Sequence, residues 1–420
     1  MKFFIFTTGC KANQWDSHVI ASNLKQSGGT LGTMQTADVI IINACSLTGR
    51  AETDARRFIQ RARQKNGTAR IALVGCHAQA YRDRCFGADL ILGQAEKFDI
   101  GHYSSEKGCF VAGKGSFPLE RAPLDGVQRD RTRFFFKIQD GCSKFCTYCV
   151  VPRARGAVRS RPAREIGDFM GILREKGVKE VVLTGIDVAA YRDPASGRDL
   201  KDLLVLLERM DTPPRIRLSS IDPEYIDDAF IEVIAASSKI ARSIHIPVQS
   251  GCDATLRGMG RRYGSALVRT IVDRLTSRVR GIGIGIDIMV GFPGEDEDAF
   301  RETYELIDGL DVYYLHVFPF SERAGTRACS IAGKVTEPIK KERVRRLRAL
   351  DAKKREAFAR RFIGKRLRVI PEGKVYKDGL VKGFSDNYLP VYLPHEKTLE
   401  NNLVEVTIEG MQGPRLIGGY

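Results

Sequence analysis

Three thiols within eight residues are the chain's most reactive feature. Cys142, Cys146 and Cys149 are spaced CxxxCxxC directly after the apolar run Phe134 to Ile138. Thiolates this close on one loop can converge on a single centre, and such sets select zinc or iron–sulfur. A structural zinc site takes four ligands in a tetrahedron, and a closed iron–sulfur cube takes four cysteines. The next cysteine after Cys149 is Cys252. Three ligands on a four-iron cube leave one iron open, where a substrate or cofactor can bind. Three cysteines that are merely packed, or that hold zinc, form the bland alternative.

A second set is spread out. Cys10, Cys45 and Cys76 each follow an apolar run by a few residues: Phe3–Phe6, Val39–Ile42 and Ile71–Val74. These runs, with Leu90–Leu92, alternate with helix-length stretches such as His18–Gln26 and Glu52–Gln64. The alternation predicts parallel strands. In an open parallel sheet the carboxyl ends of the strands share one edge, where ligands bind. The three cysteines can therefore meet and form a second three-thiol site. Small buried cysteines that simply end strands would look the same. His77 is either a further ligand or a loop residue; Cys85 and Cys109 fit no such pattern.

These sites need elements to hold them. Residues 1–125 read as an α/β unit, with a Gly-, Ser-, Pro- and charge-rich linker at 104–130. Residues 126–360 form a second α/β array. Its strands are expected at Phe134–Ile138, Glu180–Leu183, Ile216–Leu218, Ser243–Val248, Ile284–Val290 and Tyr313–Phe318. Helices are expected at Ala163–Lys176, Leu200–Arg209 and Ala299–Gly309. Six repeats fall short of the eight in a closed barrel, so a partial (β/α)6 barrel is expected, with the CxxxCxxC loop on its functional face. A strongly basic helix follows at 334–363, either a solvated packing helix or an RNA contact. Residues 361–420 then read as short strands at Leu367–Ile370, Val375–Tyr376, Leu380–Phe384, Tyr388–Leu393 and Leu403–Ile408, a small β-barrel. Its Phe384 and Tyr388 either stack bases or fill its core.

Charge points to a partner. Lys and Arg number 67 against 51 Asp and Glu, a net +16, which suits a polyanion, most often nucleic acid. Arg153, Arg155, Arg159 and Arg161, with Arg164, follow the CxxxCxxC loop directly. Guanidinium groups suit phosphates and stacked bases, so the first four are candidate RNA-binding residues; a plain surface charge run is the alternative. Ten cysteines in 420 residues are too sparse for a small disulfide scaffold, and their clustering points to a reducing compartment. The first apolar run is too short for a signal segment, and none approaches a membrane span. A cytoplasmic protein without membrane contact is expected.

These residues resemble the methylthiotransferases, radical S-adenosylmethionine (SAM) enzymes that add a methylthio group to tRNA adenosines or to a ribosomal protein. CxxxCxxC is the radical SAM signature. The segments Thr8-Gly9-Cys10-Lys11-Ala12-Asn13-Gln14, Asn43-Ala44-Cys45 and Gly75-Cys76-His77-Ala78-Gln79 look like the family's auxiliary-cluster segments. Gln139-Asp140-Gly141-Cys142 through Val151-Pro152, with Arg155-Gly156 and Ser160-Arg161-Pro162, look like its core signature. Further matches are Leu183-Thr184-Gly185-Ile186, Arg217-Leu218-Ser219-Ser220, His245 through Gly251, and Val290 through Glu295. Gly9-Cys10-Lys11, Ile138-Gln139-Asp140-Gly141 and Leu183-Thr184-Gly185-Ile186 look most like the branch acting on N6-threonylcarbamoyladenosine. Asp187 stands where that branch has histidine, and Trp15-Asp16 replaces a more usual tyrosine–acid pair.

The resemblance implies an N-terminal open parallel sheet, a partial radical SAM barrel and a C-terminal TRAM-like barrel. It implies two [4Fe-4S] clusters, one on Cys142, Cys146 and Cys149, the other on Cys10, Cys45 and Cys76. It implies SAM bound near Thr184, Gly185, Ser219 and Gln249, tRNA as substrate, and an electron donor of the reduced flavodoxin or ferredoxin type. The reaction implied is conversion of N6-threonylcarbamoyladenosine, beside the anticodon, to its 2-methylthio derivative. Within the family the alternatives are isopentenyladenosine or an aspartate of a ribosomal protein. From another class, the chain could be an RNA-binding iron–sulfur protein without turnover.

Overall fold

The computed structural model describes residues 1–113, 117, 119–122 and 132–420. The N-terminal sheet contains β1 (Lys2–Thr7), β2 (Thr30–Leu31), β3 (Val39–Asn43), β4 (Arg70–Val74), β5 (Leu90–Leu92) and β6 (Gly108–Phe110). Every pairing is parallel, in the order β2-β1-β3-β4-β5-β6. Helix α1 (Lys11–Gln26) packs Ile20 and Leu24 against Val39, Ile41, Ala72 and Val74. Helix α2 (Gly49–Lys65) packs Phe58 and Ile59 against the alternate residues Ile40, Ile42, Ile71 and Leu73. Successive side chains point to opposite faces, so the helices cover both sides and the strands read as unbroken apolar runs. The linker expected at 104–130 is partly corrected: Gly108–Phe110 pairs with β5 as an edge strand. Much of that stretch, including the expected boundary at 125/126, lies outside the described residues.

The second sheet system begins with β7 (Phe134–Lys137). A short clasp follows, β8 (Gln139–Asp140) antiparallel to β9 (Arg159–Ser160); between them in the chain lies the short helix α4 (Val151–Arg155), which neighbours α3 (Cys76–Ala80) of the N-terminal unit. The remaining strands are β10 (Glu180–Thr184), β11 (Arg215–Leu218), β12 (Ser243–Gln249), β13 (Gly283–Val290) and β14 (Tyr314–Pro319). They form two parallel three-stranded sheets, β11-β10-β7 and β12-β13-β14, joined at the seam by an Ile216–Ile240 bridge. The six expected core strands thus fall within one residue of their observed ends. Local chemistry sets the helices between them. Asp199 and Asp202 form a capping box at Leu200–Arg209, and Asp296 accepts from the Ala299 amide at Glu297–Gly309.

The two units share one core. Trp15 of α1 is 1% exposed and packs on Phe136, Phe134 and Phe169 at centroid distances of 5.3, 6.1 and 5.9 Å. The residue that departs from the family's usual aromatic is thus the rivet between the N-terminal sheet and the barrel.

The last helix, Glu337–Arg360, spends several cations internally. Arg343 meets Glu295 at 2.6 Å, and the Lys354 ammonium donates to the Leu310 carbonyl at 2.7 Å. Val344, Leu347 and Leu350 belong to the main core, so this is chiefly a packing helix. Beyond it, β15 (Arg366–Val375), β16 (Leu380–Ser385), β17 (Pro390–Pro394), β18 (Val404–Gln412) and β19 (Arg415–Gly419) close into a five-stranded barrel. Two strand expectations change. Residue 375 ends β15, after a register shift between Pro371 and Val375, and β19 arises from a Gly-rich tail.

This barrel docks on the amino-terminal ends of the core strands. Arg215 donates to the Phe384 and Arg368 carbonyls, and Arg217 to those of Ser385 and Asp386, at 2.7–3.0 Å. Glu180 sits between the two arginines at 3.1–3.2 Å. Phe384 and Tyr388 stack on each other at 4.9 Å, beneath Arg133 and Arg217. Their ring faces therefore serve the dock. Among the described residues no helix is long and apolar enough to cross a membrane.

Candidate metal centres and the joint between them

Parallel register brings the N-terminal cysteines together. Thr7 pairs with Asn43, and Asn43 with Val74, so three strand ends stand abreast. Cys10, Cys45 and Cys76 follow within three residues of these ends. Gly9 has φ +97, and a Cβ there would sit 2.8 Å from the Cys45 sulfur; only glycine leaves room. Burial, with the neighbouring Cys10 and Cys76 thiols, pushes Cys45 up to about 12. Burial likewise raises Cys10. N–H groups point at the sulfurs: Gln94 Nε2 (3.3 Å) and Arg155 Nε (3.1 Å) at Cys76, and the Leu47 amide (3.4 Å) at Cys45. His77 instead meets the Arg84 carbonyl at 3.0 Å, so it turns away as a loop residue does.

The second triad occupies one loop after β7. The Cys142 amide donates to the Gly156 carbonyl (3.1 Å), while Thr147 reaches the Met259 and Gly258 carbonyls (3.0 and 2.9 Å). These bonds pin the loop at both ends. Burial lifts Cys142 to about 11 and Cys149 to about 12, with the other thiols of the loop adding to the shift. Arg261 donates to the Cys146 sulfur at 3.4 Å. With Cys10, Cys45, Cys142 and Cys149 raised by burial and N–H donors aimed at Cys45, Cys76 and Cys146, both triads fit ligands that carry thiolate charge once a metal is bound.

Beside this loop lies a cavity of about 180 Å³ lined by Lys144, Cys146, Asp187, Glu224, Arg261 and others. Lys144 pairs with Asp222 (2.7 Å) and Asp187 (3.4 Å), and Arg261 with Asp222 (2.7 Å). A pocket with carboxylates and cations side by side suits a zwitterion. Sequence reasoning missed Lys144, Asp222 and Arg261; the signal available was the aspartate at 187. Thr184, Gly185, Ser219 and Gln249 lie at the carboxyl ends of β10, β11 and β12, the loop's own edge. Gln139 fixes that rim by accepting from the Ile186 and Asp187 amides at 3.0 and 2.8 Å. Gln249 has φ +69, and its buried Oε1 has no partner among the described residues.

The arginine run divides. Arg155 and Arg161 are each 1% exposed, which corrects their expected RNA role, since neither guanidinium reaches solvent. Arg161 bonds the Lys137 and Glu120 carbonyls (3.2 and 3.0 Å) and pairs with Glu165. Arg155 pairs with Asp16 and Asp140, both at 2.8 Å. Lys137 joins Asp16 (2.5 Å), Asp140 (2.8 Å) and Glu120 (3.0 Å), and Lys97 joins Asp16 at 2.6 Å. Burial alone would raise the Asp140 carboxyl, but Arg155 and Lys137 hold it far below the usual range. The three acids gathered here are thus filled by cations. Arg153 and Arg159 are partly exposed and bond carbonyls, of Ala324 (3.0 Å) and of Arg155 and Ala157 (both 2.8 Å). Arg164 is fully out, with 94% of its side chain exposed.

A partial barrel with three thiols on its first strand-end loop, facing a sheet edge with three more, defines a protein suited to two metal clusters. Residues 136–307 match the Radical SAM superfamily, and residues 2–93 match an uncharacterized protein family, UPF0004. The threonylcarbamoyladenosine tRNA methylthiotransferase MtaB of Bacillus subtilis is 34% identical over 96% of this chain and 92% of its own. The protein of that name from Thermotoga maritima is 35% identical over 92% of this chain and 89% of its own. A solved radical S-adenosylmethionine methyltransferase, TsrM of Kitasatospora setae, superposes with TM-score 0.55 at 15% identity, covering 76% of this chain and 74% of that one; that likeness concerns the fold. The chain belongs to the radical SAM methylthiotransferase family.

Proposed function

We propose that the protein converts N6-threonylcarbamoyladenosine of tRNA, beside the anticodon, to its 2-methylthio derivative. The observation that carries this is the pair of three-thiol sites, joined through Arg155, in a chain about one-third identical to relatives of that name. Cys142, Cys146 and Cys149 would hold the radical [4Fe-4S] cluster, and Cys10, Cys45 and Cys76 the auxiliary one. Held there, the first cluster would supply reductive radical chemistry from SAM for opening adenine C2, and the second would supply the methylthio group.

The chain's own residues bind, orient and shield. The Lys144–Asp187–Arg261 cavity would take the amino-acid end of SAM, with Thr184, Gly185, Ser219 and Gln249 along the rim. Trp15 and the buried ion pairs close the joint against water. Arg153, Arg159 and Arg164, the members of the run that reach the surface, would meet phosphate. The target base must leave its stack to reach such a site. An electron donor of the flavodoxin or ferredoxin type is implied, and ten free cysteines support a reducing, cytoplasmic setting.

Mass spectrometry of tRNA nucleosides from cells lacking the gene, beside complemented cells, tests the reading. Loss and return of the 2-methylthio-threonylcarbamoyl nucleoside is expected. A change confined to the isopentenyl product would move the substrate, and no change in either would overturn a tRNA role.

A further inference from the structure

We propose that Arg155 is a positioning residue that ties the two cysteine triads together and sets the reduction potential of the cluster on Cys10, Cys45 and Cys76. The inference rests on the two-cluster reading above. Arg155 lies in α4, directly after the CxxxCxxC loop, yet its side chain crosses to the other triad. Nε donates to the Cys76 sulfur at 3.1 Å. One terminal nitrogen grips both oxygens of Asp140, at 3.0 and 2.8 Å, and the other meets Asn13 (2.5 Å) and Asp16 (2.8 Å). Asp140 in turn accepts from the Gly141 amide at 2.8 Å, one residue before Cys142. A continuous path of short contacts therefore runs from Cys76 through Arg155 and Asp140 to the radical loop.

Cys76 is singled out among the six sulfurs. It receives two side-chain N–H groups, from Arg155 and Gln94; no other of the six does among the described residues. Reducing a cluster adds negative charge that its sulfurs share. Hydrogen bonds and cationic charge at those sulfurs favour the reduced form and raise the potential, most effectively in a site as dry as this one. The planar fork of arginine can serve a sulfur and a carboxylate together; a lysine ammonium, a compact point charge, cannot reproduce that geometry. A purely structural ion pair would need the carboxylates but no bond to sulfur.

The test is anaerobic reconstitution of the full chain, iron and sulfide analysis, and potentiometric titration of both clusters by electron paramagnetic resonance. Wild type is compared with Arg155→Lys and Gln94→Leu. The second variant removes one N–H at sulfur without changing charge, and leaves Lys97 its bond to Asp16. Both variants should lower the auxiliary midpoint and leave the radical cluster's unmoved. At the wild-type midpoint Arg155→Lys should be about tenfold more oxidised than reduced, a fall of about 59 mV for one electron. An unmoved auxiliary midpoint in Arg155→Lys, or equal shifts of both clusters, overturns the proposal, whatever Gln94→Leu shows. If Arg155→Lys does not load its clusters, Arg155→Gln is titrated in its place and read by the same outcomes. Wild type with only one cluster overturns the two-cluster reading and this inference with it.

Discussion

The two triads each bring three thiols together, by opposite means. Cys142, Cys146 and Cys149 sit on one loop, where local hydrogen bonds and eight residues of sequence fix their spacing. Cys10, Cys45 and Cys76 are 66 residues apart end to end, and only the parallel register of β1, β3 and β4 brings them abreast. The first site is thus set by local structure, the second by the fold. One tolerates changes elsewhere in the chain; the other depends on the whole N-terminal sheet and on its joint with the barrel.

Substitution of single thiols should break the comparison most sharply. Cys142→Ser is expected to reduce SAM cleavage to background and remove the iron of one cluster only, read by 5′-deoxyadenosine formation and iron analysis. The fold should survive, since the loop keeps its backbone anchors at Thr147 and Cys142. Next come the charges that join the sites. Asp140→Asn leaves Lys137 and Arg155 short of a buried partner, and breaking such a pair costs about 3–5 kcal/mol. Chemical denaturation should show that loss, and Asp16→Asn a similar one. A surface control, Arg164→Ala, should leave stability within about 0.5 kcal/mol.

Gly141→Ala sharpens the comparison at the backbone. Gly141 has φ +75, and a Cβ there would run into the Ala157 carbonyl oxygen. The left-handed strain alone costs about 1–2 kcal/mol, and the collision adds to it. The radical loop should loosen while the N-terminal triad keeps its iron, which iron analysis against a melting curve would show.

The smallest effect concerns the far end of the barrel. Burial would raise Glu180, but Arg217 and Arg215 hold its carboxyl below the usual range. A depressed carboxylate gives stability that is full above its unfolded pKa, about 4.3, and is lost as pH falls below that value. Denaturation midpoints should therefore fall below about pH 4, and Glu180→Gln should flatten that limb. Cluster content on the Cys142–Cys149 loop at neutral pH should stay unchanged, because this dock lies at the opposite ends of the core strands from that loop.

The contrast also explains what was legible in the sequence. The radical loop could be read directly, and the core strands were marked by apolar runs that the covered parallel sheets require. The N-terminal triad was legible only through a topological rule about strand ends. Edge strands β2 and β6, and the barrel strand β19, escaped because short, exposed or Gly-rich pieces carry no apolar pattern. The arginines were misread for a different reason. A run of charge does not say which members face inward, and Arg155 turns inward because Asp16, more than a hundred residues earlier, waits there. Lys144, Asp222 and Arg261 were missed for the same cause: their cluster exists only after three strand-end loops converge.

The most direct test of two sites with two tasks is Cys45→Ser, assayed anaerobically with reductant, SAM and tRNA that carries N6-threonylcarbamoyladenosine but no methylthio group. The account predicts that 5′-deoxyadenosine still forms while no methylthiolated nucleoside appears. Methylthiolation by this variant, or loss of SAM cleavage with the Cys142–Cys149 cluster intact, would contradict it.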